Sequence, residues 1–342
     1  METKSILLSG QRSQPSGHKG WVSILRRLLQ AREMTLLLIV LGCVVLFGFT
    51  VPNFASLANV LSIADTLVFD VMITTGMTMA LVSGGFDLSV GSVFASTGVV
   101  VAVAMVAGLP VWLSVLVALL SAAAWGLLNG LTITKIGVNP LLTTLATMGM
   151  ARGFVYIITE GRVVTGFPDI FTDPGQAAVG GVSVLVMIAV LVVVTADVLL
   201  RKSAVLRQLY YIGSNERAAR VSGINVERVR IGVYVMTALL AGLAGILSTS
   251  KFSAAIPLMG TGGELKAIAA AVIGGASLYG GEGTVFGATL GLIFLSLIQS
   301  VLAICDDHLS FGHRILGAGA QRYGTRCQAA RGSGFVSGNL KV

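Results

Sequence analysis

The stretch SGGFDLSVGSVF (residues 83–94) interrupts a long apolar part of the chain with three glycines and one aspartate. Glycine adopts turn conformations at little steric cost, so Gly84 and Gly85 predict a turn at the end of one helix. Asp87 and Ser89 carry oxygens that accept hydrogen bonds from the free N–H groups at a helix start. The stretch therefore predicts a helix, a turn and a capped second helix in close succession.

The composition around this stretch is that of a protein embedded in lipid. Of the 342 residues, 55% are hydrophobic and 11% are charged, whereas soluble domains carry about 25% charged residues. Apolar runs close to 20 residues recur along the chain, which is the length that crosses a bilayer as a helix. Because these runs are continuous rather than alternating, they favour helices over a barrel. The sequence predicts an all-α polytopic membrane protein.

The charges and the reactive side chains exclude other classes. The net charge is +8, but the basic residues concentrate in the arm 1–33, in residues 201–230 and in the tail, which is typical of charge that orients membrane helices rather than of nucleic-acid binding. The three cysteines have no disulfide or metal spacing, and the three histidines lie near the termini. We therefore expect no metal site and no nucleic-acid partner.

Nine membrane spans are predicted, and their number agrees with the positions of the basic clusters. If the arm 1–33 is cytoplasmic, six crossings return the chain to the cytoplasm at Arg201, where the basic segment 201–230 begins; this satisfies the positive-inside rule. The predicted spans are residues 34–51, 59–82, 89–107, 111–133, 141–158, 181–200, 231–249, 265–278 and 284–304.

The glycine-rich stretch has a faint echo later in the chain. GGFDLSVGSVF (84–94) and GGASLYGGEGTVF (274–286) both follow a predicted helix, open with paired glycines and end in Val-Phe. Internal repeats with binding sites near broken helices are common in transporters, but chance similarity between glycine-rich segments explains the match equally well. Both helix capping and the lining of a transport path remain open for these residues. The candidates for a gate or pathway are Gly84, Gly85, Asp87, Ser89, Asn139, Gly274 and Gly275.

The basic segment contains a short amphipathic motif. In YYIGSNERAARVSGINVERVRIGVY (210–234), Glu216, Ala219 and Arg220 fall on one side at helical spacing, and Gly223 is placed to end the helix. A solvated linker is the alternative interpretation. A short helix lying across a loop between spans has little reason to exist alone, so we expect it to meet a partner protein.

These motifs together resemble a known family, the membrane permeases of bacterial ABC importers for monosaccharides of the ribose, arabinose and xylose group. Glu216-x-Ala218-Ala219-x-x-x-Gly223 is similar to the family's EAA…G loop, and GGFDLSVGS is similar to its GGIDLSVG segment, with Phe86 in place of isoleucine. The resemblance extends over about residues 34–304. Further matching stretches are NPLLTTLATMGMARGF (139–154), TGGELKAIAAAVIGGASL (261–278) and GGEGTVFGATLG (280–291).

The resemblance implies a ten-helix permease with the architecture of the vitamin-B12 transporter. It would work in the bacterial inner membrane as a pair of permease chains, with ATPase subunits and a periplasmic sugar-binding protein. Residues 201–230 would be the coupling loop: Glu216 pairs with a basic group or caps the helix, Ala218 and Ala219 allow close contact, Arg220 lies beside them and Gly223 sets the exit angle. Outward loops, including 159–180 and 251–264, would receive the binding protein.

Catalysis is expected to reside elsewhere. The chain has no Gly-x-x-x-x-Gly-Lys-Ser/Thr motif, which is the loop that cradles nucleotide phosphates. We therefore expect this subunit to hold no cofactor and the partner ATPase to bind ATP and Mg²⁺. The permease would respond by rigid-body rocking of helices.

The end of the chain departs from the family pattern. After Ile304 no apolar run approaches 20 residues, and the basic tail 305–342 would lie on the wrong face of the membrane. The family expects one more helix. The sequence therefore predicts that the tenth helix is missing, with the tail as an out-of-frame or altered reading; a natural divergent tail is the alternative.

Three alternative functions make different demands on the sequence. An ion-coupled secondary transporter would need carboxylates deep in the membrane, for which Asp65, Asp70 and Asp197 are available. A membrane-embedded enzyme would need a polar catalytic cluster, but the predicted spans contain no histidine. The same ABC machinery could also carry another small solute, such as branched-chain amino acids or a quorum signal.

Overall fold

The computed structural model describes residues 32–305 and confirms the all-helical prediction. Each of the nine predicted spans contains a helix. The helices are α1 (Arg32–Thr50), α2 (Leu57–Val82), α3 (Val90–Val106), α4 (Val111–Leu131, continued by a π-helical turn Thr132–Ile136), α5 (Pro140–Thr159), α6 (Asp169–Gln176), α7 (Val184–Lys202), α8 (Gln208–Ser214), α9 (Glu216–Val221), α10 (Val226–Phe252), α11 (Gly263–Ile273) and α12 (Val285–Cys305).

Seven of the helices in residues 32–305 are long and apolar enough to cross a membrane, namely α1, α2, α4, α5, α7, α10 and α12. The other two predicted spans form shorter helices. The predicted span 265–278 was too long: α11 has 11 residues and ends at Ile273, so it covers about 16 Å at 1.5 Å per residue. That is about half of the hydrocarbon core. The turn follows because Gly275 has a φ of +95°.

Helix α10 lies at the centre of the bundle and packs against α2, α3 and α4. Small residues make this close packing possible. A Cβ on Gly76 of α2 would lie 2.9 Å from the Cα of Thr237, and a Cβ on Gly126 of α4 would lie 2.7 Å from the Cα of Val235. The small residues on the helices thus let backbones approach, as the sequence predicted.

Two distant parts of the sequence meet at one end of the bundle. Glu33, at the start of α1, lies 3.2 Å from the guanidinium of Arg201, at the end of α7. Thr284, just before α12, also donates a hydrogen bond to Glu33 over 2.6 Å. The start of α1 and the segment 201–230 are therefore at the same end, as six crossings between them require. We call this the basic end.

The other end is closed by short elements. Strand β1 (Val164–Thr165) pairs antiparallel with β4 (Ala254–Ala255), and β2 (Ala178–Val179) pairs with β3 (Val182–Ser183). Helix α6 is fastened to the end of α10, since Ser250 donates a 2.5 Å hydrogen bond to the carbonyl oxygen of Phe171. We call this the opposite end.

The predicted N-terminal arm 1–33 and the altered tail 305–342 fall almost entirely outside the described residues. Of the arm only the first turn of α1 is described, and of the tail only Cys305. The prediction of a missing tenth helix therefore stays a prediction.

Candidate functional site

The predicted amphipathic helix exists as α9 at the basic end. It begins after Asn215, whose side-chain oxygen accepts a 3.0 Å hydrogen bond from the backbone N–H of Ala218. This satisfies one of the N–H groups that a helix start leaves free. The cap is thus Asn215 rather than Glu216, the residue that the sequence offered for either capping or pairing.

The end of α9 is equally well defined. Gly223 has a φ of +83° and donates a hydrogen bond to the carbonyl oxygen of Arg220, while Ile224 donates to that of Ala219, both over 3.1 Å. These two bonds form the Schellman arrangement that ends helices at a left-handed residue. Gly223 therefore ends α9 as predicted, and the chain turns directly into α10.

Glu216 joins α9 to α10 through ion pairs. Its carboxylate lies 2.9 Å from the guanidinium of Arg220 and 2.8 Å from that of Arg230, which belongs to α10. Partial burial would raise the pKa of Glu216, but the hydrogen bonds and charges of the two arginines outweigh it and lower the pKa. Glu216 therefore stays ionised at neutral pH and ties the short helix to the central one.

The two alanines of the motif have different environments. Ala219 is buried and packs with Ile212 and Val226, so it fixes α9 on the bundle. Ala218 is exposed. Val221 is 90% exposed at the tip of α9, and it was not singled out in the sequence, where a lone valine in a basic loop gave only a weak signal. An apolar side chain this exposed beside Ala218 forms a surface that another protein could cover.

The two glycine-rich segments meet at α8, the helix before α9. A Cβ on Gly280 would lie 2.9 Å from the Cα atoms of both Gly213 and Gly84. A Cβ on Gly213 would overlap the carbonyl oxygen of Val82 and the backbone nitrogen of Gly281. Gly281 also donates a 2.9 Å hydrogen bond to Val82. The structure therefore brings Gly84 together with the later glycine segment, against α8.

Asp87 and Ser89 lie in a buried polar cluster rather than on an open surface. Both are fully buried. One oxygen of Asp87 accepts hydrogen bonds from the N–H of Ser89 over 2.9 Å and from its hydroxyl over 2.5 Å, and Asn129 of α4 donates to the Ser89 hydroxyl over 2.9 Å. The second Asp87 oxygen and the Asn129 oxygen have no hydrogen-bond partner. The Ser89 side chain makes no cap bond to α3, and Asp87 accepts from the N–H of Ser89, the residue before that helix, rather than from an N–H group within it.

The remaining candidate residues shape helix ends. Gly85 makes room for the hydroxyl of Tyr234, which would lie 2.6 Å from a Cβ at that position. A Cβ on Gly274 would overlap the backbone of Gly287, so this glycine holds α11 tightly against α12. Asn139 is exposed and caps α5 by accepting a 2.9 Å hydrogen bond from the N–H of Leu141. Its described contacts do not connect it to the cluster around α8 and α9.

Arg152 is a site residue that the sequence analysis missed. It lies in the interior of α5, and its guanidinium donates to the carbonyl oxygens of Pro257 over 2.6 Å, Met259 over 3.0 Å and Gly91 over 3.4 Å. It thereby holds the irregular segment between α10 and α11 against the start of α3. A charged residue within a predicted span was the available signal.

The three carboxylates considered for ion coupling each have a basic partner. Asp65 lies 3.1 Å from Lys251, Asp70 lies 2.6 Å from Lys266, and Asp197 lies 2.7 Å from Arg201, all measured between charged atoms. These carboxylates are therefore not free to bind a cation. Within residues 32–305, no group of three or more His, Cys, Asp or Glu could hold a metal ion.

Known proteins share this pattern over most of the chain. The family described as "Branched-chain amino acid transport system / permease component" matches residues 57–307. The ribose import permease protein RbsC of Haemophilus influenzae is 35% identical over 285 residues, covering 82% of this chain and 87% of the relative. RbsC of Escherichia coli K12 is 36% identical over 279 residues, covering 80% and 86%.

A relative named for another sugar is similarly close. The L-arabinose transport system permease protein AraH of Escherichia coli K12 is 35% identical over 256 residues, covering 75% of this chain and 78% of the relative. No solved structure matches the chain. The motif order, the membrane helices and these matches lead to one conclusion: the chain belongs to the family of branched-chain amino acid transport system permease components, within which its curated relatives include ribose and arabinose permeases.

Proposed function

We propose that the chain is the membrane-spanning permease subunit of an ATP-driven importer that moves a monosaccharide of the ribose, arabinose or xylose kind across the bacterial inner membrane. The observation that carries this is the doubly capped helix α9, with Ala218 and Val221 exposed, in a chain whose relatives are named ribose and arabinose permeases. The basic end faces the cytoplasm, in agreement with the positive-inside rule.

The subunit works with partners. A cytoplasmic ATPase, which binds ATP and Mg²⁺, docks on α9. A periplasmic sugar-binding protein docks on the opposite end, where β1, β4 and α6 surround the end of α10. A second permease copy, identical or closely related, completes the path, and the ten-helix architecture of the vitamin-B12 transporter describes each half. This chain holds no cofactor of its own.

The geometry explains how motion at α9 would reach the membrane. Glu216 ties α9 to Arg230 of α10, so a push on α9 moves the central helix. Gly213 of α8 contacts the backbones of Val82 and Gly281 directly, so the same push reaches the end of α2 and the turn before α12. Because these segments touch through backbone atoms and not through flexible side chains, they are expected to move together, as rigid-body rocking of the helices requires.

A branched-chain amino acid is the second candidate cargo. The description of the matched family names it, and the pairs between the carboxylates of α2 and the lysines of α10 and α11 offer both signs of charge to a zwitterion. The named relatives with the highest coverage are sugar permeases, which places a monosaccharide first.

Gene deletion in the organism that carries the chain tests the proposal. Cells lacking the gene should lose uptake of at least one of radiolabelled D-ribose, L-arabinose and D-xylose, and the wild-type gene should restore it. The variant Glu216→Lys should fail to restore uptake, because it places a third positive charge beside Arg220 and Arg230. The matched control Lys202→Glu reverses an exposed charge at the same end outside α9 and should restore uptake.

Two results would overturn the proposal. Unchanged uptake of all three sugars after deletion, together with lost uptake of L-leucine, would assign the amino-acid cargo. Sugar uptake that continues when cellular ATP is depleted while the proton gradient is kept would assign an ion-coupled transporter.

A further inference from the structure

A cavity of about 630 Å³ opens between α2, α10 and α11. It falls in the range of about 300–1,000 Å³ that is usual for small-molecule sites. Both carboxylates of α2 and one of the partner lysines line it, together with aromatic rings. The main lining residues are Asp65, Phe69, Asp70, Phe94, Lys251 and Phe252.

The cavity reaches from the opposite end toward the middle of the bundle. Lys251 lies one residue before the end of α10. Asp70 is 13 residues after the start of α2, which is about 20 Å along the helix. Beyond it, residues 71–82 of α2 are all buried. The lining of the cavity extends no further along α2 than Ile73, as expected of a compartment loaded from the periplasmic side.

Two ion pairs contribute three lining residues to this cavity, Asp65, Asp70 and Lys251, and stability alone explains the pairs poorly. The side chains of Asp70 and Lys266 are 22% and 17% exposed, and those of Asp65 and Lys251 are 39% and 23% exposed. Pairs withdrawn from water gain little over well-packed apolar residues, because desolvation offsets their attraction. Charged groups at membrane depth usually belong to a substrate path.

The chemistry of the wall selects a class of cargo. The two pairs carry no net charge, so a cargo with a net charge would leave one partner unbalanced at a site that is partly withdrawn from water. A hydroxyl group can donate to a carboxylate oxygen and accept from the ammonium of the same pair. Phe69 and Phe252, whose ring centroids lie 6.1 Å apart, offer apolar surface to C–H groups. Neutral cargo with several hydroxyl groups fits all of these features.

We infer that this cavity is the cargo compartment of the permease and that the Asp70–Lys266 and Asp65–Lys251 pairs determine its specificity for neutral polyhydroxylated cargo. The inference rests on the proposed import function and assigns the residues that contact the cargo. It separates these residues from Gly84 and Asp87, which lie toward the coupling helices.

The test uses the complete importer in the deletion strain, with D-ribose, L-arabinose and D-xylose as labelled probes. The sugar that the wild type imports is then compared with its singly deoxygenated analogues. The double variant Asp70→Asn/Lys266→Met keeps the side-chain shapes but removes both charges. The variant Asp70→Lys/Lys266→Asp keeps the pair and reverses its direction, and serves as the matched control for a purely structural role.

The neutral variant should import the sugar on the order of tenfold more slowly, because each hydroxyl loses a charged partner. The neutral variant should import an analogue that lacks the contacting hydroxyl at nearly the rate at which the wild type imports it. The ratio of sugar uptake to analogue uptake should therefore be lower in the neutral variant than in the wild type. ATP hydrolysis stimulated by the loaded binding protein should persist. If the neutral variant does not accumulate in the membrane, Asp65→Asn/Lys251→Met, which removes both charges of the second pair, should lower the same ratio.

Three outcomes would overturn the inference while leaving the import function intact. The first is a neutral variant with wild-type rates and ratios. The second is an equal loss for the sugar and all its analogues that the reversed pair restores, because this would show a structural role. The third is inhibition of sugar uptake by L-leucine that the neutral variant abolishes. If the wild type imports none of the three sugars, the proposed function itself fails.

Discussion

Replacing Gly213 with alanine should push α8 away from the end of α2 and from the turn before α12. Alanine is the better helix former, and at the penultimate residue of α8 it would gain at most about 1 kcal/mol over glycine. Against this, the new Cβ overlaps the carbonyl oxygen of Val82 and the backbone nitrogen of Gly281. Both atoms belong to backbone, so no side-chain rotation relieves the overlap.

The cost can be estimated from these contacts. Inserting a methyl group into a well-packed site costs about 1–3 kcal/mol, and an overlap with two backbone segments falls at the upper limit. Separating the segments also strains the hydrogen bond from Gly281 to Val82, which contributes about 1 kcal/mol. After the gain in helix propensity, the expected net loss is about 2–3 kcal/mol.

Gly232 provides a matched control. It lies in α10, and a Cβ there would meet no atom within 4 Å, so Gly232→Ala should be neutral or stabilising. Thermal unfolding of both purified variants in detergent, with uptake measured in parallel, compares the two sites. If Gly213→Ala unfolds at the same temperature as Gly232→Ala and imports normally, the close contact at α8 is not essential and the coupling route is wrong.

Three further predictions concern the basic end and the interior of α5. Val221→Asp should reduce co-purification of the ATPase on the order of tenfold without changing the unfolding temperature, because the docking interface would lose an apolar contact. Val205→Asp, at an exposed valine outside α9, is the control, and an equal loss of co-purification with this variant would contradict a specific docking role. Arg152→Met should destabilise the protein by about 3 kcal/mol, because charged hydrogen bonds to the irregular segment are lost; unchanged thermal unfolding would contradict this. The lowered pKa of Glu216 means that its bond to Arg230 is present above the ordinary carboxyl pKa of 4.5 and is lost as the pH falls through the lower native pKa. The rate of amide hydrogen exchange in α9 should therefore be the same in the wild type and in Glu216→Gln only at acidic pH. Identical exchange rates of the two proteins at neutral pH would refute the role of this ion pair.

The sequence predicted most of the membrane helices and the short helix α9 correctly because their signals are local. Each of these signals, namely a long apolar run, an EAA-like motif and the helix-ending Gly223, is contained in one continuous stretch of sequence. The length of α11 could not be predicted, because the apolar run continues to Leu278 whereas the helix ends before Gly274 and Gly275. Glycines inside apolar membrane helices are common, and only their contacts show which of them break a helix.

The separation of roles among the site residues could not be predicted either. For Asp87 and Ser89 the sequence left both helix capping and the lining of a path open, whereas the structure buries both residues completely, with Asn129 bonded to Ser89. Asp65 and Asp70 are five residues apart on α2 and line the same cavity, and each pairs with a lysine about 190 residues away in the chain. Pairing across such a distance depends on how helices are arranged in space.

By itself the amino-acid sequence determined that the chain crosses the membrane repeatedly, which end carries positive charge and where a short helix lies between two membrane helices. These properties depend on hydropathy, charge and capping, which act over one or two helical turns. Tertiary structure alone decided that the two glycine segments touch at α8, that Ala219 is hidden while Val221 protrudes, and that two ion pairs border one cavity. Those outcomes depend on contacts between helices, which are set by packing and close backbone approach rather than by any local pattern.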